Sequence, residues 1–333
     1  MRNTRLLIPL IYHPTNVIVL DDKPELLNTV RQMIDHNIPY ITETKPDRVL
    51  HYLRSHTYHQ NTLSQLIVQR DFGIGDKPTA AEPFKINFSH LLQFLDTAEL
   101  YKKVVVAFID RQMALRDGLE LCREIRKEGL LTVLVLFTGE TTSEEVVDAF
   151  NKGEIDAYLP KKHLTPEKIN QCISEGMWKF FINLSTTLAG LISHELNPLY
   201  DEQFFELFEK IRRDYRSEEF YLLDSSCSFL LLDIYGQAKQ LFVRNEMDFE
   251  DCYEIAKNSE APYDVLQALR GRQKFPYTRD SMGYIKLQGD CWEDVMVPMT
   301  QVAGRELYYS VVDRSGVDVF SFKKYFNEVW PEP

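Results

Sequence analysis

Short apolar runs punctuate the first half of the chain, and each stops at a residue with a chemically useful side chain. Val17-Ile18-Val19-Leu20 ends at Asp21-Asp22, and Val104-Val105-Val106-Ala107-Phe108-Ile109 ends at Asp110. Val133-Leu134-Val135-Leu136-Phe137 ends at Thr138, and Ala157-Tyr158-Leu159-Pro160 delivers Lys161. Runs with no polar alternation predict strands buried on both faces, as in a parallel sheet. Ligands of open α/β sheets sit outside the carboxyl ends of the strands. Three acids, a hydroxyl and a lysine gathered there could hold a divalent metal and a phosphoryl group together.

The pattern changes at Pro166, a good first helical residue after Thr165 as N-cap. Apolar positions then fall at Ile169, Ile173, Met177, Phe180, Leu184, Leu188 and Leu191, with Phe181 and Ile192 widening the stripe. This spacing suits a helix seam with coiled-coil drift. It predicts a helix from Pro166 to about His194, about 40 Å long at 1.5 Å per residue. A linking, dimerising helix is the first expectation for residues 166–195, and a core helix is the alternative.

After a helix over 201–216, strand-like runs follow at 220–224, 228–233 and 238–244. Helices are predicted near 248–258 and 262–270, and strands at 295–297 and 307–313. That order is α+β, and it is loosely similar to PAS or GAF sensory modules in element order alone. Asp224, Ser225, Ser226 and Asp233 could line a ligand pocket there; ordinary turn chemistry is the other reading of the same residues.

Residues 16–163 resemble the receiver domain of two-component response regulators. Asp21, Asp22, Asp110, Thr138-Gly139, Tyr158 and Lys161 carry the resemblance in order. The stretch Asp117-Gly118-Leu119-Glu120-Leu121-Cys122-Arg123-Glu124-Ile125-Arg126 resembles the family's loop and helix after the phosphorylated acid. The resemblance implies a flavodoxin-like, doubly wound α/β domain with a five-stranded parallel sheet. It implies Asp110 as phosphoryl acceptor, and Mg²⁺ held by Asp21, Asp22, Asp110 and the backbone carbonyl of Gln112. Lys161, Thr138 and Tyr158 would bind the phosphoryl group and carry the switch. Carboxylate nucleophiles of this kind form aspartyl-phosphates, and hard oxygen ligands suit Mg²⁺.

Several positions depart from the family pattern. Lys162 stands where the family usually has proline, so the cis peptide expected there is in doubt. Met113-Ala114 replaces the family's Met-Pro, and Arg116 adds a positive charge nearby. From Asp22 to Asp110 there are 88 positions, where the resemblance implies about half that number. The surplus predicts an insertion near 55–95, after the helix Pro46-Asp47-Arg48-Val49-Leu50-His51-Tyr52-Leu53. It includes the turn-rich Asp71-Phe72-Gly73-Ile74-Gly75-Asp76-Lys77-Pro78. His51, His56 and His59 gather at its start without an acid or cysteine at ligand spacing, as on a solvated helix end.

Composition narrows the function. With 333 residues the chain has room for two domains, expected as 1–165 and 196–333 joined by the helix. Five cysteines without a Cys-x-x-Cys pattern point to reduced thiols. The absence of a membrane-length apolar stretch and of a cleavage site near Met1-Arg2-Asn3-Thr4-Arg5 adds to a cytoplasmic expectation. The net charge of −12 is uneven: residues 1–163 carry 20 basic and 22 acidic side chains, a net of −2, which leaves −10 for residues 164–333. A second half this acidic opposes DNA, whose binding rests largely on phosphate attraction. Ser193-His194-Glu195-Leu196-Asn197-Pro198 is similar to the phosphorylated-histidine box of sensor kinases but one residue short, and the nucleotide motif of such kinases is missing.

The layout of one receiver plus a non-DNA-binding α+β half is similar to response regulators of α-hydroxyketone quorum sensing, although no motif carries that similarity. The expected function is a phosphorelay response regulator and homodimer, modified on Asp110 by a sensor histidine kinase or phosphotransfer protein. Its output half would bind a protein or small ligand. No enzymatic activity beyond receiver self-phosphorylation and dephosphorylation is expected. The rivals are a receiver-gated enzyme or nucleotide-binding output domain, and an atypical transcription factor.

Overall fold

A computed structural model describes residues 6–58, 67–68, 85–86, 98–139, 144–189, 197–224, 226–278, 289–314, 319 and 321–329. The chain divides into two compact units. One comprises Tyr12–Gln65, Phe94–Leu188 and Phe320–Pro333; the other comprises Met1–Ile11, Leu66–Gln93 and Ala189–Val319. The expected boundaries at residues 165 and 195 cut the chain into consecutive pieces, and these units are not consecutive. In the second unit the Leu222 N–H donates to the Leu10 carbonyl and the Leu7 N–H to the Leu199 carbonyl. In the first, the last helix, Phe322–Val329, buries Phe322 and Tyr325.

The first unit holds a five-stranded parallel sheet in the order Tyr40–Glu43, Asn16–Leu20, Val104–Asp110, Val133–Thr138, Ala157–Pro160. This is the doubly wound, flavodoxin-like order. Every residue of the three central strands is buried, as their unbroken apolar runs require. Register aligns the carboxyl ends: Leu20 pairs with Ile109, Asp110 with Phe137 and Thr138 with Pro160.

Crossover helices flank the sheet. Pro24–Met33 and Pro46–His56 each begin on a proline, where no backbone donor is lost. Gly118–Lys127 is capped by Asp117, whose side chain accepts from the Leu119 and Glu120 N–H groups. Glu144–Asn151 and Pro166–Ala189 complete the set.

The long helix is a core helix. Ile169, Ile173, Met177, Phe180 and Leu184, the seam expected to meet a second copy, are all buried within the single chain. Phe181 packs its ring against Tyr12, His13 and Tyr58. Gly176 permits close approach to the sheet, since a Cβ there would lie 3.0 Å from a Val106 methyl. Leu191, Ile192 and the His194 segment lie outside the described residues.

Of the insertion, the described part includes a short antiparallel pairing of Ile67–Val68 with Lys85–Ile86. At its start the His56 ring stacks on Tyr52 at 3.9 Å and its Nδ1 bonds the Tyr52 carbonyl, in keeping with an ordinary helix end. His59 lies outside the described residues.

The second unit is α+β. Its sheet runs Glu219–Leu222, Phe229–Leu232, Ala238–Asn245, Leu307–Asp313, Thr300–Gln301, antiparallel throughout. Helices Glu202–Asp214, Glu246–Asn258 and Tyr263–Arg270 accompany it. Asn245 and Asp248 form a reciprocal capping box that starts the second of these. Phe242, Phe249, Phe275, Trp292 and Tyr308 form the aromatic part of its core.

Candidate functional site

Four strand ends and the turns that follow them build the site at the carboxyl edge of the parallel sheet. Asp21 follows Asn16–Leu20 and is fully buried; Asp110 closes Val104–Asp110 and is 2% exposed. Asp22 stands beside them, and the three residues offer carboxylate oxygens that all lie within 4.8 Å of one another. Lys161, delivered by Ala157–Pro160, places its Nζ 2.5 Å from Asp21 Oδ2 and 2.7 Å from Asp110 Oδ1. One ammonium thus balances part of the repulsion among three acids brought together.

Backbone donors orient the carboxylates. The Lys23 N–H donates to Asp21 Oδ1 at 2.9 Å, and the Ala114 N–H to Asp22 Oδ2 at 2.7 Å. The Gln112 N–H reaches Asp110 Oδ1 at 3.3 Å. Two oxygens are left over: Asp110 Oδ2 and Asp22 Oδ1 are buried and accept no hydrogen bond. Burial pushes the Asp110 carboxyl above its ordinary range; Lys161 pulls the other way, and the Asp21 charge adds to the push.

Buried oxygens without partners are costly, and a hard divalent cation is the partner that suits them. The donor set therefore fits a metal of the Mg²⁺ type.

The loop after Asp110 holds its shape through its own contacts. The Gly118 N–H donates to the Arg111 carbonyl at 2.8 Å. A Cβ at Gly118 would stand 1.9 Å from the Asp110 carbonyl oxygen, so only glycine fits. Gln112 and Asp117 face each other in an isolated bridge. Arg116, expected to add charge near the site, forms an ion pair with Glu124. Arg111 pairs with Glu145 at 2.5 Å.

Thr138 is buried at the end of its strand, and Tyr158 is 38% exposed on the neighbouring one. The site's side chains and the Gln112 carbonyl are legible in the sequence, whereas the Lys23 and Ala114 donors and the Gly118 close approach are set by turn conformation.

Of the residues suggested for an output pocket, Asp224 and Ser226 lie beside Arg244 and Asp248, and Asp233 stands apart from them. The Asp224 carboxylate pairs with Arg244 at 3.0 Å and accepts from the Ser228 N–H. Ser226 donates to Asp248 Oδ2 at 2.9 Å. Asp233 lies at the other end of strand Phe229–Leu232 and accepts from the Tyr235 and Gln237 N–H groups of a turn. Ser225 lies outside the described residues. Burial raises the Asp248 carboxyl, with Arg244 opposing.

The doubly wound sheet with an acidic trio and a lysine at its carboxyl edge is a response-regulator receiver fold. Over almost its full length the chain is similar in structure to the Legionella pneumophila response regulator LqsR, with a TM-score of 0.79 and 24% identity. The match covers 98% of this chain and 97% of that one, so the likeness in fold takes in both halves. The CheY-like receiver domain from Methanospirillum hungatei gives a TM-score of 0.33 at 14% identity, covering 50% of this chain and 96% of that one. The Francisella response regulator 1452 receiver domain gives 0.33 at 14%, covering 50% and 98%. No family model matches the sequence, and no curated protein matches it. No described helix is long and apolar enough to cross a membrane.

Proposed function

We propose that the chain is a response regulator of a two-component phosphorelay, with Asp110 as the phosphoryl acceptor. The observation that carries this is the Asp21–Lys161–Asp110 constellation, with two buried carboxylate oxygens left over beside it.

In this reading an Asp110 carboxylate oxygen attacks the phosphorus of a phosphohistidine on a sensor kinase or phosphotransfer protein. An O–P bond forms, the P–N bond breaks, and the imidazole leaves. Asp21, Asp22, Asp110 and the Gln112 carbonyl would hold Mg²⁺, which supplies charge neutralisation of the transferring group. Lys161 exchanges part of its contact with the carboxylates for a phosphoryl oxygen. Thr138 donates its hydroxyl to another, and Tyr158 follows the loop and changes the exposed face, a local charge event with a wider readout.

The acidic second unit binds a protein or small molecule rather than DNA, and a cytoplasmic setting suits both its thiols and its donor. A homodimer would have to use a face other than the buried 169–184 seam. The quorum-sensing reading keeps the support of layout alone.

The test is intact-mass measurement after incubation with Mg²⁺ and a small phosphodonor. Wild type should gain one phosphoryl group, and Asp110→Asn and chain lacking Mg²⁺ should gain none. Equal modification of Asp110→Asn would assign the chemistry elsewhere.

A further inference from the structure

The residue after Asp110 gives its charge to a helix. Lys161 is the cation acting on Asp110, at 2.7 Å, whereas Arg111 directs its guanidinium to Glu145 Oε2 at 2.5 Å. The two ends of that pair are held by different parts of the unit. Arg111 is anchored to the sheet, since its N–H donates to the Phe137 carbonyl at 2.9 Å. Glu145 belongs to the helix Glu144–Asn151, which begins six residues after Thr138. That helix buries Val146 and Ala149 in the core and leaves Val147 and Phe150 exposed.

We propose that the Arg111–Glu145 ion pair is a latch that holds the helix Glu144–Asn151 in place in the unmodified protein and parts when Asp110 carries a phosphoryl group. In the receiver reading, on which this rests, Thr138 turns its hydroxyl to a phosphoryl oxygen and takes the chain after it along. The strands that anchor Arg111 are buried and stay in register, so the start of the helix moves relative to Arg111. Coupling of this kind is reciprocal. What favours the unmodified position of the helix opposes a phosphoryl group on Asp110 by the same factor, and the latch thereby sets when the face bearing Val147 and Phe150 changes.

Exposure sets the size of the effect. The Arg111 side chain is 15% exposed and that of Glu145 53%, so water screens one partner, and the pair is worth about two- to fivefold in an equilibrium. Glu145 also sits in the first turn of its helix, where negative charge is favoured. That part of its contribution does not depend on Arg111, and a double-mutant cycle separates the two.

The experiment compares the full chain as wild type, Glu145→Gln, Arg111→Gln and the double variant. Each is titrated with beryllofluoride at saturating Mg²⁺, and amide hydrogen exchange is read across residues 144–151 with and without that ligand. Glu145→Gln should bind beryllofluoride about two- to fivefold more tightly than wild type, and in the Arg111→Gln background the same substitution should change nothing further. Exchange across the helix should be faster by a similar factor in free Glu145→Gln and equal to wild type once beryllofluoride is bound. Unchanged affinity, equal tightening in both backgrounds, or faster exchange in both states would overturn the latch and leave the receiver reading intact. Wild type that binds no beryllofluoride with Mg²⁺ would remove the receiver reading, and the latch with it.

Discussion

His13 shows how a single buried group ties stability to pH. It is fully buried among Tyr58, Tyr101 and Phe181. Pro14's carbonyl can only accept, so Nδ1 carries the proton toward it and Nε2 accepts from the Tyr58 hydroxyl. Burial lowers its pKa from 6.5 to about 3, the Pro14 bond opposing slightly. Between those values the unfolded chain binds a proton that the folded one does not. The contribution is therefore complete above pH 6.5 and lost as pH falls toward 3, by about 1.4 kcal/mol per pH unit. Urea unfolding of wild type and His13→Gln at several pH values in that window should show the slope in the first and its reduction in the second. At the phosphoacceptor loop, Gly118→Ala should displace Asp110, because the new Cβ would collide with its carbonyl oxygen. The expected result is a lower thermal midpoint together with at least about tenfold slower phosphorylation, a change of about 1.4 kcal/mol in barrier, read by the same mass assay.

At the scale of elements, the helix Pro166–Ala189 separates pattern from partner. Its apolar spacing is that of a seam, and a seam records only that something apolar lies opposite. In the folded chain that something is the chain's own core: Phe180 and Phe181 pack on Tyr58, and Gly176 approaches Val106. Met177→Glu should therefore destabilise the parallel-sheet unit by about 3 kcal/mol or more through an unpaired buried carboxylate. Denaturation followed through Trp178 would report it; a stable, merely monomeric variant would restore the dimer seam.

For the whole molecule, the units are defined by three dimensions rather than by order. The last helix, Phe322–Val329, belongs to the first unit: Phe322 and Tyr325 pack on Tyr101, and the Tyr325 hydroxyl accepts from Asn16 Nδ2 at 3.0 Å. Asn16 opens the strand that ends at Asp21 and Asp22. A chain ending at Val319 should lose roughly 3–6 kcal/mol, the burial of two aromatic side chains, from the unit that carries Asp110. An excised 1–165 fragment should be weaker still, since it also lacks the core helix. Chemical denaturation of the truncated and full chains checks the first of these.

The sequence by itself determined the parallel sheet, its strand ends and the side chains of the site. Buried strands need unbroken apolar runs, and the reactive groups Asp21, Asp22, Asp110, Thr138 and Lys161 must follow directly where those runs stop. It also determined most elements of the α+β half, where alternation and capping are local: Asn245 with Asp248 is a signal three residues long. Tertiary structure alone decided what lies against each apolar face, and so made the helix Pro166–Ala189 of the predicted seam a core helix. It decided that Asp224 and Asp233 stand at opposite ends of a strand and serve ion pairing and turns. It drew residues 1–11 and 320–333 each into the unit distant in sequence, because short segments carry too little pattern to name a partner hundreds of residues away. The backbone donors of Lys23 and Ala114 also came from the fold, since every residue but proline has an N–H and only conformation aims it.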